Sequence, residues 1–185
     1  AARNVRALEP AAGDVILTLC ASCASHLTHA YPRLLADDPA LARRAEAFAA
    51  KVMPFSRFAV EVLNLPAEAF QPGGPKATYH APCHLCRGLG VRQAPKELIL
   101  RGGFDFRPAA EEETCCGFGG TYSGKFPQVS AQILSRKLAD AVATGAEVLV
   151  TECPGCVMQL RGGARQQGLP LQVRHLAEVL EERLR

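Results

Sequence analysis

Short apolar runs alternate with amphipathic stretches along most of this chain. Apolar runs predict β-strands over residues 15–19, 77–81, 104–107, 147–151 and 171–174. Apolar positions at helical spacing predict helices over residues 24–36, 40–53, 56–63, 94–101, 126–144 and 175–185. Strands that alternate with helices are typical of an α/β protein with a mostly parallel sheet.

One unit of this pattern occurs twice. Residues 15–27, with the sequence VILTLCASCASHL, align with residues 148–160, VLVTECPGCVMQL, so that the strand, both cysteines and a helix leucine coincide. Further along, FAVEVL at 58–63 resembles LAEVL at 176–180. The chain is therefore predicted to contain two copies of a strand, a Cys-x-x-Cys turn and a helix.

We expect this duplication to form two Rossmann-like cysteine-rich repeats. Residues 1–70 would be the C-terminal part of the first repeat, and residues 76–185 a complete second repeat. The Gln-Pro-Gly-Gly-Pro stretch at 71–75 is the predicted linker. The second repeat has cysteines upstream of its Cys-x-x-Cys turn, and their counterparts in the first would precede residue 1. We therefore expect a truncated first repeat in a piece of a longer protein, in agreement with the absent initiator Met.

Composition and charge exclude several classes of function. With 185 residues, 48% hydrophobic and 21% charged, the chain is typical of a globular protein with a substantial core. Its net charge of +3 is small and dispersed, so nucleic-acid binding is not indicated. No apolar run approaches the roughly 20 residues of a membrane helix, so we expect no transmembrane segment. The opening residues do not resemble a signal peptide, which favours a cytoplasmic location and permits peripheral membrane attachment through partners.

The cysteines point to the chemistry. Disulfide frameworks belong mainly to small secreted proteins, whereas thiol pairs in a chain with a large core favour a shared metal centre. Thiolates select iron–sulfur clusters, zinc or copper(I). Three cysteines directly follow predicted strands, and the carboxyl ends of parallel strands meet at one edge of a sheet. The eight cysteines form the pairs Cys20 and Cys23, Cys83 and Cys86, Cys115 and Cys116, and Cys153 and Cys156.

Five of these cysteines have a distinctive spacing. The order is Cys83, 31 residues (84–114), the adjacent pair at 115–116, 36 residues (117–152), and Cys-Pro-Gly-Cys at 153–156. A structural zinc ion normally takes four ligands, whereas five thiolates with an adjacent pair suit a cluster of several irons. Glycines at 117, 119 and 120 would let the backbone approach a bulky anionic centre and direct N–H groups at its sulfurs. The residues predicted to approach the cofactor in this way are Gly117, Gly119 and Gly120.

This order of cysteines resembles the cysteine-rich CCG domain family. The domain occurs in heterodisulfide reductase and in iron–sulfur subunits of glycolate oxidase, of anaerobic glycerol-3-phosphate dehydrogenase and of lactate-utilisation complexes. The stretch CCGFGGTYSGKFPQVS is most similar to the glycolate-oxidase and lactate-utilisation subunits. The complete motif lies within residues 77–185, and residues 1–65 resemble the end of another copy.

The resemblance implies a metal centre and an electron-transfer function. The implied cofactor is a [4Fe–4S] cluster, which is non-cubane in heterodisulfide reductase. The implied partners are an FAD-containing dehydrogenase subunit, another iron–sulfur protein, and a quinone or other electron acceptor. The protein would then serve a flavin-linked 2-hydroxy-acid (lactate or glycolate) oxidoreductase complex. The implied cluster ligands are Cys83, Cys115, Cys116, Cys153 and Cys156, with Cys20 and Cys23 matching the end of the other motif.

The sequence leaves alternatives open for the function and for several residues. A heterodisulfide-reductase-like domain would reduce a disulfide at its cluster, and a structural domain would bind zinc instead of iron. An isolated fragment could also be empty of metal after exposure to air. Cys20 and Cys23 lack the rest of their motif and are expected to be free, disulfide-linked or zinc-bound. Cys86 is an extra ligand, a redox thiol or a packed side chain, and His80 and His84 are structural or donate to a thiolate.

Overall fold

A computed structural model of the protein describes residues 1–9 and 13–185. The strands are β1 Ile16–Thr18, β2 Val52–Pro54, β3 Lys76–Tyr79, β4 Asp105–Phe106, β5 Val148–Thr151 and β6 Gln172–His175. The α-helices are α1 Ala2–Leu8, α2 Ala21–Ser25, α3 Tyr31–Leu34, α4 Pro39–Ala50, α5 Phe55–Glu61, α6 Ala94–Arg101, α7 Thr121–Lys125, α8 Pro127–Ala143, α9 Pro154–Gln166 and α10 Leu176–Glu181. Two π-helical turns, His26–Ala30 and His84–Gly88, and a 3₁₀ turn, Ala67–Ala69, complete the helical elements.

The strands form two parallel sheets. In the smaller sheet β1 pairs with β2, and Ile16 lies opposite Val52. The larger sheet has the order β4-β3-β5-β6, and all of its strand pairs are parallel. This architecture confirms the predicted α/β class with parallel sheets and is consistent with two Rossmann-like repeats. The division of the chain at residues 71–75 stays a prediction.

The predicted duplication is visible in the order of elements. In each half, a strand leads into a Cys-x-x-Cys turn at the start of a helix, β1 into α2 and β5 into α9. A second strand, β2 or β6, then pairs in parallel with the first and runs directly into a helix, α5 or α10. The two Cys-x-x-Cys turns therefore occupy equivalent places, at the carboxyl end of a parallel strand.

Three sequence-based expectations need correction. The helix predicted to reach Met53 ends at Ala50, because residues 52–54 pair with β1 as a strand. The helix predicted over 56–63 spans Phe55–Glu61 instead, because Pro54 occupies its N-cap position, and the Ser56 N–H donates to Glu152 Oε1 at 2.9 Å. The helix expected from Ala24 begins earlier, at residue 21, and contains a π-helical turn. The helix at residues 2–8 has no counterpart among the predicted elements.

The larger sheet is buried on both faces. All four residues of β5 are buried, as expected for a parallel strand covered by helices on either side. One face packs in a core that contains Tyr79, Val150 and Leu176. The other face packs against α8 and α9 in a core that contains Leu138 and Leu160, together with three of the cysteines. In the described ranges, 1–9 and 13–185, no helix is long and apolar enough to cross a membrane.

The two sheets meet at the Cys-x-x-Cys turns. The backbone N–H of Ala21 donates to the carbonyl of Glu152 at 3.1 Å. The His175 Nε2 atom lies 2.8 Å from the carbonyl oxygen of Leu19. These bonds hold the end of β1 against the ends of β5 and β6, so cysteines from both halves of the chain lie at one junction.

Candidate metal centre

Three segments at the carboxyl edge of the larger sheet contribute the cysteines of the second repeat. Cys83 follows β3 and precedes a π-helical turn, while Cys153 follows β5 and occupies the N-cap position of α9. Cys156 lies in the first turn of α9, beyond Pro154, which suits the start of a helix because it needs no N–H partner. The adjacent pair at 115–116 lies on the loop before α7. Cysteines far apart in sequence thus converge because parallel strands end at the same edge.

A continuous series of sulfur contacts runs through this edge. The Sγ atoms of Cys116 and Cys156 are 3.4 Å apart. Cys115 is in hydrogen-bond contact with both Cys116 and Cys83, and Cys153 with Cys156. Cys116, Cys153 and Cys156 are buried, whereas Cys83 and Cys115 are partly exposed. All five cysteines singled out by their spacing therefore lie in one cluster, which we call the thiol cluster.

These contacts favour thiolates at two positions of the thiol cluster. Hydrogen bonds from the Cys116 and Cys83 thiols hold the pKa of Cys115 well below its ordinary value of 9.0. A hydrogen bond from the Cys156 thiol likewise lowers the pKa of Cys153, to about 5. The same contacts raise the pKa of Cys83 and of Cys156, which act as donors. Since thiolates rather than thiols bind metals, these contacts favour the metal-binding form of Cys115 and Cys153.

The glycine-rich loop after the adjacent cysteines fits closely around them. The Gly117 N–H donates to Cys115 Sγ at 3.3 Å, the type of bond expected from the sequence. Gly117 has φ +86°, and a Cβ there would lie 2.6 Å from the carbonyl oxygen of Ser130 on α8. Ser130 Oγ donates back to the Gly117 carbonyl at 2.8 Å. Gly119 and Gly120 also have positive φ, so the loop turns in conformations that other residues rarely adopt.

The segment before Cys115 is tied down by a buried lysine. Lys137 lies on α8 with its side chain inaccessible to solvent, and its Nζ donates to the carbonyls of Glu111 and, at 3.1 Å, Glu112. Asp140, one turn further along α8, accepts the backbone N–H of Ala110 at 3.1 Å and that of Glu111 at 3.0 Å. Helix α8 therefore fixes the path of the chain that enters the thiol cluster.

Ion pairs reinforce the same segment from outside. Each of its three successive glutamates forms an ion pair with a basic side chain from elsewhere in the chain, and these pairs are more exposed than Lys137. The pairs are Arg136 with Glu111, Lys96 with Glu112, and Arg92 with Glu113. Exposed pairs contribute little stability each, so the buried lysine is the stronger constraint on the segment.

His80 lies beside the buried sulfurs. One of its ring nitrogens and the sulfurs of Cys116 and Cys156 all lie within 4.8 Å of one another. The ring is buried, and among the described residues neither nitrogen has a hydrogen-bond partner. Five thiols and one neutral imidazole form a donor set suited to a soft or borderline metal. The residues present therefore fit the metal centre that the sequence predicted.

The remaining cysteines have different surroundings. Cys86 is fully buried on the other side of the sheet, and its Sγ lies 4.0 Å from the carbonyl oxygens of Ala81 and Cys83. It is a packed side chain in this structure. Cys20 Sγ accepts the backbone N–H of Cys23 at 3.4 Å at the start of α2, and Cys23 is exposed. Contact with Cys20, aided by burial, raises the pKa of Cys23 to about 11.

The first Cys-x-x-Cys turn adjoins the thiol cluster through a serine. Ser22 Oγ lies 3.2 Å from Cys20 Sγ and 3.9 Å from Cys153 Sγ. The structure thus brings the two cysteines of the first repeat to the edge of the cluster without placing them inside it.

Two residues of the site are poorly marked in the sequence. Lys137 is absent from the predicted site, although it lies on the apolar stripe of its helix with Leu134, Leu138 and Ala141, where a charge is unusual. For His80 the sequence allows either a structural role or donation to a thiolate, because its distance from residues 116 and 156 is not visible there. For Lys137 the available signal was a charged residue on an apolar helix face, and for His80 it was only the proximity of Cys83 in the sequence.

Comparison with known proteins agrees with this geometry. A family model described as a cysteine-rich domain, CCG, matches residues 77–161, which contain all five residues of the thiol cluster. Lactate utilization protein A of Exiguobacterium sp. (strain ATCC BAA-1283 / AT1b) is 40% identical over 179 residues, or 96% of this chain and 72% of the relative. This chain belongs to the lactate utilization protein A family of cysteine-rich CCG-domain proteins.

Other members of the family are similarly close. Lactate utilization protein A 1 of Bacillus cereus (strain AH820) is 39% identical over 172 residues, covering 92% of this chain and 71% of the relative. The protein of Lysinibacillus sphaericus (strain C3-41) is 36% identical over 179 residues, covering 96% and 77%. These matches extend beyond residues 77–161 into the first repeat, so family membership rests on nearly the whole chain.

Proposed function

We propose that this chain is the cysteine-rich part of an iron–sulfur electron-transfer component that serves lactate utilisation. A [4Fe–4S] cluster would be held by Cys83, Cys115, Cys116, Cys153 and Cys156. An FAD-containing dehydrogenase subunit would oxidise the 2-hydroxy acid and supply electrons. Another iron–sulfur protein and a quinone or other acceptor would complete the electron-transfer chain. We expect a cytoplasmic location, with attachment to the membrane through partners.

The observation that carries this proposal is the series of contacts among five thiols. One metal ion with four ligands would leave at least one thiol of the series unused, whereas a cluster of several irons accommodates all five. The adjacent cysteines at 115 and 116 would offer two thiolates from one loop to such a cluster. The names of the relatives favour lactate over glycolate as the 2-hydroxy acid.

The protein's own residues account for the properties that electron transfer requires. A bound iron–sulfur cluster would accept and release single electrons. The Gly117 N–H directed at Cys115 would stabilise negative charge on that sulfur, which raises the reduction potential. Burial of Cys116 and Cys156 would exclude water from one side, while the partly exposed Cys83 and Cys115 leave the other side open to a partner.

Reduction of a disulfide at the cluster is a second candidate. A groove of about 990 Å³ is lined by Cys23 of the first repeat and His84 beside Cys83, together with His26 and His29. Its walls are mainly apolar, and Cys23 contributes a thiol to them. A low-molecular-weight disulfide would find both space and nearby sulfur in this groove, which favours testing the reaction directly.

Metal analysis of protein purified without oxygen tests both candidates. We expect about four irons and four acid-labile sulfides per chain, with the visible absorption of an iron–sulfur cluster. Zinc alone, no sulfide and a colourless sample would overturn the electron-transfer proposal and favour a structural zinc domain. With iron present, reoxidation of the reduced protein by a small disulfide would favour the second candidate. Reduction by a lactate-reduced flavin dehydrogenase would favour the first.

A further inference from the structure

His80 is held in a fixed position at the end of β3. Its backbone N–H donates to the carbonyl of Val150 at 2.9 Å, which continues the pairing of β3 with β5. Because side chains alternate along a strand, His80 points to the opposite face from Tyr79, toward the core that contains Cys116 and Cys156. The backbone therefore directs the imidazole at the buried half of the thiol cluster.

The imidazole has no protein partner there. His80 is 1% exposed, and neither Nδ1 nor Nε2 makes a hydrogen bond within the part of the chain that the structure describes. His175, which is also buried, has the hydrogen bonds expected of a structural histidine. In His175 the Nε2 atom meets the Leu19 carbonyl at 2.8 Å, and Nδ1 accepts the Ala177 N–H at 3.1 Å. Leaving a buried polar group unpaired is energetically costly, so a ligand for His80 is expected.

The imidazole also has the chemistry that metal binding needs. Both ring nitrogens are buried and have no hydrogen-bond partner among the described residues, so either is available to a ligand. Imidazole nitrogen suits iron and zinc, the metals that thiolates also select.

The distances suit ligands of a single metal ion. With metal–sulfur bonds near 2.3 Å and metal–nitrogen bonds near 2.0 Å, ligand atoms of a tetrahedral ion lie roughly 3.5–3.8 Å apart. Cys116 Sγ and Cys156 Sγ are 3.4 Å apart, and a nitrogen of His80 lies within 4.8 Å of both. The three ligand atoms are therefore close enough together to be candidates for binding one ion.

We propose that His80 is a ligand of the metal centre and binds, through one ring nitrogen, the same metal ion as Cys116 and Cys156. The inference deepens the proposed function and rests on it where the metal is iron. The two thiols release their protons when the ion binds, and the imidazole releases none. A neutral nitrogen ligand adds no negative charge, unlike a thiolate, so His80 raises the reduction potential of the centre.

The test combines isotope labelling with two histidine variants. Full-length protein purified without oxygen and reduced to a paramagnetic state is examined by pulsed electron paramagnetic resonance, with ¹⁴N or ¹⁵N in its histidines. We expect strong nitrogen coupling of a directly bound imidazole, scaled by the isotope. It should disappear in His80→Gln and persist in His84→Gln, since His84 is exposed and flanks Cys83 on the other side. The reduction potential should also fall in His80→Gln.

The results distinguish failure of the ligand role of His80 from failure of the proposed function. Iron without any histidine nitrogen coupling, or coupling that survives in His80→Gln, would overturn the ligand role of His80 and leave the proposed function intact. Absence of iron and sulfide from the wild-type protein would overturn the proposed function. Cobalt(II) titration of the metal-free protein then tests the ligand set independently. A tetrahedral thiolate spectrum that changes in His80→Gln but not in His84→Gln supports His80, and identical spectra overturn it.

Discussion

The hydroxyl of Ser22 lies 3.9 Å from the sulfur of Cys153, although 131 positions separate the two residues in the chain. The same hydroxyl lies 3.2 Å from Cys20 Sγ. A single side chain therefore joins the first Cys-x-x-Cys turn to the second. Because a thiolate accepts hydrogen bonds, the Ser22 O–H stabilises negative charge on Cys153 and helps to lower its pKa to about 5, after the larger effect of Cys156.

This contact predicts an effect of Ser22→Ala on the redox properties of the centre. Loss of one hydrogen bond to a sulfur ligand should lower the reduction potential by about 40 mV, equivalent to about 1 kcal/mol for a one-electron couple. Ser22→Thr keeps the hydroxyl and should stay close to wild type. Redox titrations of the three proteins at equal iron content measure the effect. Equal potentials for the alanine and threonine variants would show that the hydroxyl does not act on the centre.

The two sides of the sheet predict opposite outcomes for two cysteine variants. Cys116→Ser should remove most of the bound iron, since Cys116 lies in the middle of the thiol cluster. Cys86→Ser should keep nearly all of it, because Cys86 packs in the other core and its sulfur faces two carbonyls. Iron and sulfide per chain, measured on both variants purified without oxygen, test whether Cys116 is a ligand and Cys86 is not. Equal losses would mean that the ligand set is assigned wrongly.

The buried lysine of α8 predicts a link between stability and metal content. In Lys137→Met the carbonyl of Glu111 loses the lysine donor and the segment leading to Cys115 is released. We expect unfolding of the metal-free protein to become easier by about 1–3 kcal/mol, and iron content to fall. Lys125→Met is the matched control, since Lys125 is exposed near the same loop and should change neither quantity. Urea unfolding and metal analysis measure both effects; similar behaviour of the two variants would contradict the role given to Lys137.

Two glycines of the cysteine loop predict a graded response. Both have positive φ, which costs an alanine on the order of 1–2 kcal/mol. At Gly117 a Cβ would also lie 2.6 Å from the carbonyl of Ser130, whereas at Gly120 it would meet nothing within 4 Å. Gly117→Ala should therefore lose clearly more stability than Gly120→Ala and should bind less iron. Thermal unfolding of the two variants checks the order, and a larger loss at Gly120 would reverse the interpretation.

Much of this protein was determined locally by its sequence. Apolar runs such as residues 147–151 form strands because a buried parallel strand needs apolar side chains on both faces. Gly102 ends α6 at the predicted place. The repeated Cys-x-x-Cys turns were visible because each lies within a few residues of its strand and helix. Since parallel strands end at one edge, the convergence of the five cysteines could also be predicted.

Only the tertiary structure decided what depends on contacts between distant segments. Residues 52–54 form a strand because β1 offers them a parallel partner, although the preceding sequence continues a helical pattern. The burial of His80 beside residues 116 and 156, the anchoring of the cysteine loop by Lys137, and the approach of Ser22 to Cys153 are likewise non-local. Periodicity and spacing describe near neighbours along the chain. Which side chains share a low-dielectric pocket, and are left without partners in it, is set by how the sheets and helices pack.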